Sequence, residues 1–150
     1  MIFNEKLAEM FKKCKKVRVS LSIDSYGKLN EFLRKGSKWE TTVSTMDWFQ
    51  DRGYDLSVHS VASLYNCNVL MDLIDYCKNR NLPQRYVLAD GPSTMMPRSL
   101  PTHAKQTITK QLKPHVDVQG IFKVMIDELS KDGEYHRFQH FLKMVYLLLA

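Results

Sequence analysis

Val17-Arg18-Val19-Ser20-Leu21-Ser22-Ile23-Asp24-Ser25-Tyr26-Gly27 is the stretch on which the reading of this chain turns. Val17, Val19, Leu21 and Ile23 alternate with Arg18, Ser20, Ser22 and Asp24, and that period of two predicts a strand with one apolar and one polar face. The β-branched residues favour the extended state, and Ser25-Tyr26-Gly27 supplies a stop. The polar row has two readings. It is the wet face of an edge strand, or it offers hydrogen-bonding groups to a ligand. Ligand sites in α/β folds lie where strands give way to loops at their carboxyl ends. Residue types alone favour the wet edge.

Before this strand, Phe3, Leu7, Phe11 and Cys14 recur at spacings of four, four and three, predicting an amphipathic helix capped by Asn4. After it, Leu29 to Leu33 predicts a short helical turn ending near Arg34-Lys35-Gly36-Ser37. Trp39, Val43, Met46 and Phe49 mark a helix with Ser37 as its cap and Arg52-Gly53 as its stop. Leu56 to Ala62 reads as a second strand. Asn66 or Asn68 then caps a helix carrying Leu70, Leu73, Ile74 and Cys77, and Tyr86 to Ala89 makes a third strand.

Asp90-Gly91-Pro92-Ser93 opens a loop through Pro97 and Pro101. From Thr102 the pattern is helical. Ile108 and Leu112 form one helix broken by Pro114, Val118 to Leu129 a second, and Phe138, Phe141, Leu142, Val145 and Leu149 a third. Strands alternating with helices predict an α/β fold: a three-stranded parallel sheet with right-handed crossover helices. Three strands cannot close a barrel, so the sheet is open or is a piece of something larger. Two regions follow: an α/β part over 1–101 and a helical extension over 102–150.

At 150 residues, 44% apolar and 25% charged, the composition is that of a globular domain. No apolar run has the length of a membrane span, and Met1-Ile2-Phe3-Asn4-Glu5-Lys6 lacks the shape of a secretion signal, so no membrane and a cytoplasmic location are expected. The net charge of +6 is concentrated in Lys12-Lys13-Cys14-Lys15-Lys16 without interleaved aromatics, which argues for a solvated basic helix end and against a nucleic-acid partner. Cys14, Cys67 and Cys77 are too widely spaced for a disulfide framework or a metal site; Cys14 and Cys77 read as small core residues. His136 and His140 stand one helical turn apart without a third ligand, a surface pair and not a metal site. His59 reads as a core histidine with a backbone partner. No Ser-His-Asp, P-loop or GxGxxG pattern occurs.

The run Val19-Ser20-Leu21-Ser22-Ile23-Asp24, followed by Asn30-Glu31-Phe32-Leu33-Arg34-Lys35-Gly36-Ser37 and Trp39, resembles the middle of radical S-adenosylmethionine (radical SAM) enzymes of the twitch or SPASM-type branch. The later Gly91-Pro92 and Leu100-Pro101 resemble that family's segment after the next strand. The resemblance covers residues 15 to 113, and its specificity lies in the order and spacing of short motifs. It implies a partial TIM-type barrel with part of an S-adenosylmethionine pocket. Ser22 would bond the ribose or amino-acid part of the cofactor and Arg34 its carboxylate, from one shared cavity. Asp24 would lie on the same face, and backbone near Asn66 and Gly91 would lie by the adenine.

In an intact member, an electron from a [4Fe-4S] cluster cleaves the cofactor to a radical that abstracts hydrogen from substrate. The cluster motif CxxxCxxC is absent from this chain, and the three cysteines fit neither its spacing nor its position. The resemblance therefore implies a C-terminal portion, inactive alone. It would be completed by an N-terminal half that supplies the cluster, or would self-associate through an exposed sheet edge. The alternative is a non-catalytic interaction or regulatory module with a basic surface.

Overall fold

The computed structural model describes residues 5–116 and 120–140. These divide into two compact units. One is the chain through Ser60 together with Asp72–Arg85; the other is Val61–Met71 together with the chain from Tyr86 onward.

The first unit begins with α1 (Glu5–Lys12), β1 (Arg18–Ser22), α2 (Gly27–Leu33) and α3 (Trp39–Asp51). β2 (Asp55–Ala62), α4 (Leu70–Asn79) and β3 (Gln84–Leu88) follow. The protein is α/β, with a three-stranded parallel sheet in the order β1-β2-β3. β1 pairs with β2 in the register Arg18 to Asp55 through Ser22 to His59. β3 runs the same way: Val58 N–H donates to the Pro83 carbonyl and, further on, Ala89 N–H to that of Ala62. β1 is therefore an edge strand, as its polar row predicts.

The core of this unit is Ile23, Met46, Phe49, Leu56, Val58, Leu73, Cys77 and Leu82. Met46 and Phe49 are fully buried, and each contributes about 1.5–3 kcal/mol by leaving water. Along β2 the buried residues are Leu56, Val58, Ser60 and Ala62. The Ser60 hydroxyl is satisfied by the Ile23 carbonyl. The opposite row is wet: Ser20 and Ser22 are exposed, and their register partners Ser57 and His59 are half-buried. Parallel sheets are ordinarily covered on both faces; within this unit one face carries the apolar side chains and the other carries hydroxyls.

In the second unit, 3-10 turns at Ser93–Met95 and Pro97–Ser99 lead to α5 (Thr102–Leu112), a 3-10 turn at Lys113–His115 and α6 (Gly120–Ser130). Residues 135–140 are helical. α5 and α6 pack together over Ile108, Leu112, Phe122, Met125 and Leu129, all buried. Beneath them Glu128, 3% exposed, takes Arg98 Nε at 2.8 Å and Lys131 Nζ at 2.9 Å, so a buried carboxylate is met by two cations. Gly133 is needed for close approach: a Cβ there would run into the backbone carbonyl of Arg98.

Four local expectations are corrected. Ser37 does not cap α3; the carboxylate of Glu31 accepts the Trp39 N–H at 2.7 Å. Asn66 does not cap α4 but turns back to hold the end of β2. Cys14 is exposed beyond the end of α1, whereas Cys67 and Cys77 are buried. His59 is half-buried on the wet face; its own carbonyl accepts Ile23 N–H at 3.0 Å, but its Nε2 has no partner. The expected Asn4 cap, Val118 and the apolar positions beyond residue 140 lie outside the described residues.

Candidate functional site

The carboxyl end of β1 gathers the first three candidate residues in one unit. Ser22 is the last residue of the strand and is exposed. Ile23 dives into the core, and the chain then turns over Asn30, whose side-chain oxygen accepts the Asp24 N–H at 3.1 Å. Asn30 is 1% exposed, so this bond is protected and fixes where the Asp24 carboxylate points.

Arg34 comes from the end of α2. Its N–H donates to the Asn30 carbonyl at 2.9 Å, and its own carbonyl accepts the Ser37 N–H at 2.9 Å. Gly36, at φ +89°, lets the chain reverse between α2 and α3 in a conformation that side chains resist. The Arg34 Nε lies 2.9 Å from Asp24 Oδ2, with the two side chains 35% and 16% exposed. The aspartate thus holds the guanidinium from its Nε side, while a third of the side chain remains open to solvent.

Behind this pair Glu31 braces the α2–α3 connection. The Trp39 N–H, and after it Lys28, hold the Glu31 carboxyl below its ordinary range. Neither Asn30 nor Glu31 stands out in the sequence, because partners six and eight residues away leave no local motif.

Beside Ser22 lies a cavity of about 270 Å³, walled also by Gly36, Ser37, Lys38 and the Thr41, Thr42 and Thr45 hydroxyl side of α3. Thr42 and Thr45 donate their hydroxyl protons to carbonyls one turn back, Lys38 at 3.1 Å and Thr41 at 2.8 Å. Ser22 lines this cavity; Arg34 does not, its guanidinium being turned to Asp24.

The remaining two candidates lie in the second unit. Asn66 is fully buried. Its oxygen accepts the Ser63 N–H at 2.7 Å, and its amide donates to the Val61 carbonyl at 2.9 Å. Gly91 is exposed in the turn after β3, before a cis bond to Pro92, and its backbone demands no glycine.

Among the described residues no group of three or more His, Cys, Asp or Glu is placed to hold a metal ion. Burial pushes the Cys67 thiol up to about 12, so it stays protonated and is a poor ligand. Cys14 is exposed and Cys77 buried. These residues do not fit an iron–sulfur cluster. Among the described residues, no helix is long and apolar enough to cross a membrane.

No family model, no curated protein and no solved structure matches the chain.

Proposed function

We propose that this chain is the C-terminal portion of a radical SAM enzyme and contributes part of an S-adenosylmethionine pocket on a piece of a partial TIM-type barrel. The observation that carries the reading is the Asp24–Arg34 pair at the carboxyl end of a parallel strand. An arginine that meets a largely buried carboxylate through its Nε and is a third exposed to solvent is suited to receive a second carboxylate, such as that of an amino-acid moiety. Ser22, the register partner of His59 on the wet face, has a hydroxyl to give to a ribose. When bound with a cluster, the cofactor supplies hydrogen-abstraction chemistry; this chain's own residues would bind and orient it. Since its cysteines do not suit a cluster, the cluster would come from an N-terminal half, as a separate chain or a preceding segment. β1, at the end of the strand order, is the strand through which such pairing or self-association would run. Three free cysteines agree with a reducing, cytoplasmic setting.

The test is calorimetric titration with S-adenosylmethionine of the wild type, Arg34→Ala and Ser22→Ala. Weak, saturable binding is expected, since many contacts are missing, with Arg34→Ala weakening it about tenfold or more and Ser22→Ala less. No saturable binding, or binding indifferent to Arg34→Ala, overturns the reading. The second reading, a basic interaction module, draws on the exposed Lys12–Lys16 run. It gains if the chain ignores the cofactor yet retains a polyanion.

A further inference from the structure

α5 presents Thr102, Lys105, Thr109 and Lys110 along one side, and the following turn adds Lys113. With the end of α6 these wall a cleft of about 490 Å³, to which Lys131 and a single acid, Asp132, also contribute. Two of the ammonium groups are fixed. Lys105 Nζ donates to the Lys131 carbonyl at 2.8 Å, and Lys131 Nζ is anchored on the buried Glu128 at 2.9 Å. Those contacts explain two lysines structurally, since cations stabilise a helix carboxyl end. The same preference favours Lys110 and Lys113 in the last turns of α5 and of the segment after it, but does not fix where their ammonium groups lie. Both are exposed, make no ion pair among the described residues, and add like charge to a wall that Asp132 and the Lys131-bound Glu128 offset only in part.

We propose that this cleft, in the second unit and independent of the S-adenosylmethionine reading, is a binding site for a small, multiply charged phosphate-bearing molecule. Its volume admits a phosphorylated metabolite, the two fixed ammonium groups need no reordering, and the hydroxyls of Thr102 and Thr109 add neutral hydrogen-bonding groups. An anion there would relieve the repulsion among the lysines, which is the physical driving force of the site.

Inorganic pyrophosphate is the probe, followed by backbone ¹⁵N NMR on the full chain. Saturable shifts confined to 102–113 and 129–132 are expected, with affinity falling as salt rises. The Lys110→Glu, Lys113→Glu double variant changes only exposed side chains, and its spectrum reports whether the fold is kept. It should weaken binding about tenfold or more; Lys110→Arg, Lys113→Arg, which keeps both charges, should restore most of it. Shifts that do not saturate, that centre on Lys12–Arg18, or that survive the charge reversal overturn the proposal. A short single-stranded oligonucleotide that displaces pyrophosphate and spreads the shifts beyond the cleft would assign it to nucleic acid and overturn the small-molecule site.

Discussion

Two polar turns follow two strands of this sheet, and they employ similar residues differently. After β2, Ser63 and Asn66 are buried, and the Asn66 amide is spent on the backbone of Ser63 and Val61. After β1, buried Asn30 does the same work for the Asp24 N–H, but the charged groups it positions, Asp24 and Arg34, stay partly open. A buried amide bonded to main chain is an element of the fold. An ion pair positioned by such an amide and partly exposed remains within reach of solvent. The difference separates Asn66 from Arg34, although family resemblance names both as parts of one site.

The sharpest way to break this contrast is Asn66→Ala. It takes the Asn66 oxygen from the buried Ser63 N–H and removes the part-buried bond to the Val61 carbonyl, and should cost about 1–3 kcal/mol in urea denaturation. A loss below about 1 kcal/mol would show that Asn66 is not the structural member of the pair.

A gentler probe is a double-mutant cycle with Asp24→Asn and Arg34→Ala. Because Arg34 is a third exposed, the coupling in stability should be no more than about 1 kcal/mol and should shrink with added salt. A coupling several times larger would place Arg34 with Asn66 among residues kept for the fold.

The smallest expected effect concerns the brace behind Arg34. Glu31 ionises more readily when folded, chiefly through the Trp39 N–H, so its contribution is present above its unfolded pKa of about 4.3 and is lost as pH falls through its lower folded value. Glu31→Gln should therefore destabilise at neutral pH, and its denaturation midpoint should converge with wild type in acid. A gap that widens as pH falls would contradict the carboxylate's role.

Much of the fold was legible because periodicity reports burial. Leu56, Val58 and Ala62 alternate as a half-covered strand must, and Met46 and Phe49 recur at the helical interval that faces a core. What escaped were choices settled in three dimensions. Ser37 has the right residue type and place to cap α3, yet Glu31 reaches the same N–H from the preceding helix. Cys14 keeps the helical spacing of Leu7 and Phe11, but α1 ends at Lys12, so the spacing no longer implies a shared face. At the site, the alternation placed Ser22 on the wet row, while the Asn30 anchor and the turning of Arg34 toward Asp24 depend on how α2 returns over the strand end.

The hydroxyl wall of α3 has a chemical selectivity of its own. With their protons committed to carbonyls one turn earlier, Thr42 and Thr45 show an occupant of the neighbouring cavity only oxygen lone pairs. At these two positions the lining welcomes guests that bring their own hydrogens, sugar alcohols or protonated amines, and leaves a bare oxyanion to the donors of the other walls, Lys38 and the Ser22 and Ser37 hydroxyls.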